Sequence, residues 1–461
     1  MSDPGAKAAE TTPSRRSTWL LALIVGIVTG SYFAIGLKTE PSFVDEWAYI
    51  SQSYYASLFF DGSRDHAAWL DYPAYDLPPL PKYLIGGALS LAQYPLPGPA
   101  DARKWYNNIK YECGPHAMLR PARIPSAIIG MAGCVALFGI GTLAFDRTTG
   151  VIAAALLAIN PLYRMHARRA MSDVIAEALI VLSVLCALWA WKRILEGQGG
   201  RMARWAAIVA AGVFGGFAAL AKLNGGLAMI HVVLLSAMAV AYWHASVGRR
   251  FEFVAAGIVA GLVSLATFVA FNPFVTAHPQ QKNSAQIQAF EKMKWWERAI
   301  YLVTFRANVS SGQQKAFPHN ALRTAPEKLE TVAVQGFGRF GPMGPKQTDS
   351  TRRFDFAQDK GAIVWLPWVL AGGVLAWLAG RRQWREGEPT TGWALLAISL
   401  VSLVVVSSYL PLAWDRYFIS LQPWSALLGA APLAALLHAA KRGPRGLKTW
   451  QSPVESMSES S

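Results

Sequence analysis

Cysteine is almost missing from this chain of 461 residues: there are three, Cys113, Cys134 and Cys186. Two fall inside apolar runs, so neither a disulfide framework nor a cysteine metal cluster is expected. The eight histidines show no metal-ligand spacing either. Charge is scarce, at 15% of residues, and acid scarcer still, with 28 Asp and Glu against 43 Lys and Arg. No stretch between the apolar runs is long and apolar enough for its own globular core, and no internal repeat is visible. These absences exclude a disulfide-rich module, a soluble metalloprotein and a string of soluble domains. What is there instead is apolar: 53% hydrophobic residues and 18 Trp fit a polytopic membrane protein.

The expected fold is all-α, with about ten transmembrane helices. Apolar runs near 18–37, 122–145, 150–163, 173–192, 204–222, 226–244, 252–273, 361–380, 391–411 and 416–439 have roughly the length that crosses a bilayer, the shortest being 150–163. Short loops rich in Lys and Arg belong in the cytoplasm. With the N-terminus inside, Arg15, Arg16, Arg147, Lys192, Arg193, Arg249, Arg250, Arg381, Arg382 and Lys441 all fall there, and so do both termini. The first span is too long for a secretory signal, and no convincing cleavage site follows it, so it reads as a retained anchor. Residues 1–17 then form a disordered cytoplasmic N-terminus, 18–440 one transmembrane domain and 441–461 a cytoplasmic tail.

Two long loops, 38–121 and 274–360, and short connections near 164–172, 222–225 and 412–415 face the other side. The first loop is expected to hold juxtamembrane helices at 45–60, with Trp47, Ile50, Tyr54 and Leu58 at helical spacing, and at 81–93. The second carries 13 Lys and Arg against 7 Asp and Glu, interleaved with aromatics such as Trp295 and Trp296. That mixture suits anionic headgroups or phosphates, or a solvated loop resting on the membrane. The basic excess is accounted for in these ways, and no nucleic-acid partner is expected.

Ionisable residues near the outer helix ends are Asp45, Glu46, Lys82, Arg123, Arg164, Arg168, Arg169, Asp173, Glu177, Lys222, Asp415 and Arg416. Charges at such depth usually face a cavity and pair with one another or with a ligand. Cations can neutralise a phosphate leaving group while a carboxylate takes a proton from an incoming hydroxyl or amine.

Five stretches carry a resemblance: Asp45-Glu46-Trp-Ala-Tyr49, Leu77-Pro-Pro-Leu-Pro-Lys82-Tyr-Leu-Ile85, Arg123-Ile-Pro-Ser-Ala-Ile-Ile-Gly130, His166-Ala-Arg-Arg-Ala-Met-Ser-Asp173 and Arg416-Tyr-Phe-Ile-Ser-Leu-Gln-Pro423. In order and spacing they resemble the C-type membrane glycosyltransferases, the superfamily of protein O-mannosyltransferases and of the aminoarabinose transferases that modify lipid A. The resemblance implies a polyprenyl-phosphate sugar donor, membrane lipids as surroundings, an unidentified extracytoplasmic acceptor and transfer with inversion. It implies a place in the bacterial inner membrane, with the site on the periplasmic face.

By the same resemblance Asp45 is the catalytic base or acceptor-orienting carboxylate, with Glu46 as neighbour or alternate, and Asp173 is the second acid. Lys82, Arg123, Arg168, Arg169, Lys222 and Arg416 are the candidate phosphate ligands. A divalent cation, Mg or Mn, shared by Asp45 and Asp173 is left open, and no other cofactor is implied. Pro81 stands where the family often has Gly. The soluble C-terminal domain of some aminoarabinose transferases is not expected here, so lipid A modification is one option among several. A transporter or flippase of lipid-linked sugar is the alternative; it calls for charges through the membrane, whereas here they gather at one face.

Overall fold

The computed structural model describes residues 15–100, 114–197, 200–242, 245–281, 284–337 and 360–447. The expected disorder of the outermost tails, and Cys113, lie outside the described residues. Within them the chain is helical, with one isolated bridge between Ala321 and Leu412. The helices used below are α1 (Arg15–Ile35), α2 (Val44–Ser51), α3 (Pro79–Leu91), α4 (Leu119–Ala144), α5 (Arg147–Ile159), α6 (Pro161–Ala167), α7 (Asp173–Glu196), α8 (Arg201–Ala221), α9 (Leu227–Tyr242), α10 (Val247–Ala270), α11 (Trp295–Ala316), α12 (Lys360–Arg385), α13 (Thr391–Tyr409) and α14 (Gln422–Leu447).

Nine helices among the described residues are long and apolar enough to cross a bilayer: α1, α4, α7 to α10 and α12 to α14. α7 is the hub, apolar nearly all round and packed on α4, α8 and α9. The tenth expected span is broken. α5 has 13 residues, about 20 Å at 1.5 Å per residue. Asn160 then stops it, and its Oδ1 caps α6 by accepting from the N–H groups of Leu162 and Tyr163 at 3.1 and 3.0 Å, with Pro161 in the first turn. The two pieces run the length of α1 all the same. Arg147 donates to Ser17 and Thr18 at one end of α1, while Arg164 and Arg168 donate to Tyr32 at the other.

The described parts of the two long loops are more folded than their sequences suggest. The expected helix at 45–60 is two, α2 and Tyr55–Phe60, interrupted at Gln52-Ser53-Tyr54. Trp47, Ile50 and Tyr54 are buried in protein rather than laid on a membrane. The other expected helix forms as α3. Aromatics from both long loops make one cluster, in which Tyr55, Trp69, Tyr75 and Tyr83 meet Phe274, Phe290 and Phe305. Arg298, with no exposed surface, donates to the carbonyls of Phe290 and Ala277 at 2.8 and 2.7 Å. Leu322 N to Pro411 O at 3.0 Å and Ala413 N to Asn320 O at 2.9 Å tie the second loop to the α13–α14 connection. The described parts of the two loops therefore form one layer over one end of the bundle.

Close helix contact is most demanding between α12 and α14, where a Cβ on Gly372 would sit 1.9 Å from Leu428 O. On Gly373 it would make an ordinary 3.7 Å contact with Leu396. Gly372→Val is expected to cost at least about 1–3 kcal/mol, and Gly373→Ala to stay within about 0.5 kcal/mol. Thermal unfolding in detergent, read side by side for the two variants, checks this.

Candidate functional site

The short connections at this end of the bundle and the layer above them line a cavity of about 730 Å³. Its walls come from α2 and the segment 72–79 of the first loop, from α11 of the second, and from Ser172, Asp173, Lys222, Leu227, Pro411 and Arg416 of the bundle. Its charged lining is Asp45, Asp76, Asp173, Lys222, Arg306 and Arg416. Asp45, Asp173, Lys222 and Arg416 are thus brought together from four distant stretches of chain.

They meet as two ion pairs. Arg416 Nη1 donates to Asp45 Oδ2, and Lys222 Nζ donates to Asp173 Oδ1 at 2.7 Å. Asp45 and Arg416 keep 33% and 20% of their side-chain surface, so this pair is open to the cavity. Asp173 keeps 3%. Local folding explains the placement. Asp45 lies in the first turn of α2 and Asp173 opens α7, where a carboxylate is favoured by the helix dipole. Lys222 has extended backbone between α8 and the single turn Leu223–Gly226. That turn needs glycine, because a Cβ on Gly225 would lie 2.0 Å from Ala218 O. Arg416 belongs to the 3₁₀ helix Asp415–Leu421 leading into α14; its guanidinium stacks 4.7 Å from the Trp414 ring centroid.

Glu46 and Arg123 do not reach the cavity. Neighbouring residues on a helix point about 100° apart, and Glu46 turns fully inward. Arg123 Nε and Nη2 donate to its two oxygens at 2.7 and 2.8 Å. The N–H groups of Ala170 and Phe43 add bonds at 2.8 and 3.0 Å. Arg123 also donates to the carbonyls of Leu37 and Glu40 at 2.7 and 2.9 Å. Both groups are saturated, and the arrangement makes them an internal brace instead of an alternate base and a phosphate ligand.

Three more expected phosphate ligands are turned away. Lys82 is 1% exposed; its ammonium donates to Pro73 O at 2.5 Å and lies 4.6 Å over the Tyr55 ring. Burial pushes it well below the usual lysine range. Arg168 donates to Tyr32 O at 2.6 Å and stacks on its ring. Arg169 is buried, 3.5 Å from Glu40 and over Phe43.

Sequence reasoning missed Arg306. It projects from α11 into the cavity, with Nη1 3.7 Å from Asp76 Oδ1. α11 mixes exposed apolar residues (Ile300, Val303) with buried Leu302 and Arg298, so no periodicity singles out residue 306. Among the described residues no group of three or more His, Cys, Asp or Glu side chains converges to hold a metal. Asp45 and Asp173 already hold cationic side chains, so they do not make a metal site as they stand.

Residues 68–280 match the family model described as dolichyl-phosphate-mannose-protein mannosyltransferase. No curated protein sequence matches the chain. Among solved structures, similarity is found to the oligosaccharyltransferase AglB from Archaeoglobus fulgidus in complex with an inhibitory peptide and a dolichol-phosphate. Identity is 13%, the TM-score 0.56, and the match covers 92% of this chain and 51% of that one. The same organism's oligosaccharyltransferase in the apo form gives 15% identity and a TM-score of 0.54 over 91% and 51%. ArnT from Cupriavidus metallidurans bound to undecaprenyl phosphate overlaps more loosely, at 14% identity and a TM-score of 0.46 over 91% and 61%. The chain thus spans about half the length of the AglB structures. At these identities the likeness is one of fold, shared with the AglB structures.

The brace predicts an asymmetric stability pattern. Arg123→Met leaves Glu46 buried without its countercharge and is expected to cost about 3–5 kcal/mol. Adding Glu46→Leu to it removes the stranded charge and is expected to recover part of that loss. Melting of the single and double variants in detergent checks it; a double variant less stable than Arg123→Met refutes the brace.

Proposed function

We propose that this chain is a membrane glycosyltransferase that moves a sugar from a polyprenyl-phosphate donor to an acceptor hydroxyl or amine in the outer cavity, with inversion. The observation that carries the reading is the meeting of two carboxylates with two cations, beside a third cation, in one cavity at the end of an apolar bundle. The lipid-phosphate donor is further supported by the family match of residues 68–280 and by the dolichol-phosphate in the AglB structure of the same fold. The wall also contains Leu227, Ile230, Phe268, Leu302 and Val405, an apolar flank suited to an isoprenoid chain.

In this reading Arg416, Lys222 and Arg306 receive the donor phosphate and neutralise its charge as it leaves. An anion competing for Arg416 releases Asp45. The acceptor atom attacks the anomeric carbon opposite the phosphate, the bond from that carbon to the phosphate oxygen breaks, and the acceptor's proton passes to Asp45. Lipid phosphate departs with the electron pair. Asp173 stays beneath, where it holds Lys222 ready until the phosphate arrives. With the N-terminus cytoplasmic, the cavity faces the extracytoplasmic side, which in a bacterial inner membrane is the periplasm.

Asp45→Asn keeps the shape but cannot take the proton. Transfer from a labelled polyprenyl-phosphate sugar in membranes is expected to fall about 10²–10⁴-fold at equal expression and unchanged melting. Equal transfer by the variant removes Asp45 from the mechanism. Because Mg or Mn would have to displace the cationic partners of Asp45 and Asp173, transfer is expected to persist in excess EDTA; loss that added Mg or Mn restores overturns that assignment.

A further inference from the structure

Asp173 has a second neighbour that the mechanism above leaves idle. Its Oδ1 is held by Lys222 at 2.7 Å, while its Oδ2 lies 3.7 Å from Nδ1 of His166, beyond hydrogen-bond range. His166, near the end of α6, is 2% exposed, and neither ring nitrogen has a hydrogen-bond partner. A buried imidazole with both nitrogens unanswered is costly and calls for an explanation. Burial pushes it down from 6.5 to about 4, so at neutral pH it is uncharged and offers one N–H. Besides Asp173 of α7, the charged groups that act on it are Arg169 of the α6–α7 connection, Lys222 between α8 and α9, and Arg416 of the 415–421 turn.

The cost of moving Lys222 supplies the explanation. A carboxylate as enclosed as Asp173 is expensive to leave unpaired, yet a donor phosphate claiming the Lys222 ammonium would do that. We propose that His166 is a positioning residue that takes over Asp173 when Lys222 turns to the donor phosphate: with its proton on Nδ1, the imidazole closes onto Oδ2 and keeps the buried carboxylate hydrogen-bonded. The inference rests on the phosphate reading of Lys222. It assigns His166 no contact with substrate; His166 lowers the energy needed to free the lysine. The 3.7 Å gap is the resting state of this exchange, and less than 1 Å of movement closes it to a normal N–H to oxygen distance.

The test compares His166→Met, which cannot donate, with His166→Gln, which can, and with Lys222→Met. KM is measured separately for the polyprenyl-phosphate sugar and for the acceptor. His166→Met is expected to raise the donor KM about tenfold, the scale of one hydrogen bond to a charged group. Acceptor KM and donor-free melting are expected to stay unchanged, and His166→Gln to restore most of the donor KM. A donor KM within twofold of wild type in His166→Met, while Lys222→Met binds donor poorly, overturns the role of His166 and leaves the phosphate reading standing. An unchanged donor KM in Lys222→Met overturns both. If His166→Met does not fold, donor-induced difference infrared spectra of wild-type protein labelled with ¹⁵N-histidine decide the matter. A shifted imidazole band missing in His166→Gln supports the exchange, and its absence in wild type refutes it.

Discussion

Glu46 holds the loop-covered end of this bundle together. A carboxylate with no exposed surface must have its lone pairs answered from within, and here they are answered by a bidentate guanidinium and two backbone N–H groups. The partners come from four places: α4 through Arg123, the start of α2 through Phe43, the α6–α7 connection through Ala170, and the end of α1 through the carbonyls that Arg123 also binds. One pair therefore sets the mutual position of four elements. The direction of Asp45 is a consequence. Once Glu46 is pinned inward, its neighbour on the same helix faces the cavity, together with Tyr49 one turn later. The adjacent acids divide into a structural one and an available one because a helix cannot turn both the same way.

The same geometry explains what could and could not be read from the sequence. The spans were legible because long apolar runs have one use in a chain this poor in charge, and only 150–163 was too short to cross unbroken. That the ionisable residues gather at one end was legible from loop parity, and Asp45, Asp173, Lys222 and Arg416 do share a cavity. Which charges face it was not. Glu46, Lys82, Arg123 and Arg168 sit within a turn or two of helix ends, where linear sequence marks depth but not direction, and each turns to a carbonyl, a ring or an opposite charge. Arg306 was hidden for the converse reason. Its helix has no clean apolar face to orient it, and its charged partner, Asp76, lies 230 residues earlier in the chain.

Balance of charge ties the resting cavity to the proposed chemistry. Three carboxylates (Asp45, Asp76 and Asp173) line it against three cations (Lys222, Arg306 and Arg416), so the formal charges of the lining balance. That suits a low-dielectric surrounding, where an uncompensated charge is costly. An anionic ligand then enters by exchange: it takes cations already paired and leaves carboxylates unpaired. If the ligand is a phosphate, the cavity becomes net negative, and a carboxylate freed from its cation there becomes a stronger proton acceptor. An acceptor hydroxyl releases a proton as it attacks. The exposed carboxylate, Asp45, can meet it from the cavity, while the enclosed one, Asp173, has to be compensated from within the protein. The unequal burial of the two carboxylates, Asp45 a third exposed and Asp173 enclosed, fits the proposed chemistry as a division of labour between a group that reacts and a group that holds a cation ready.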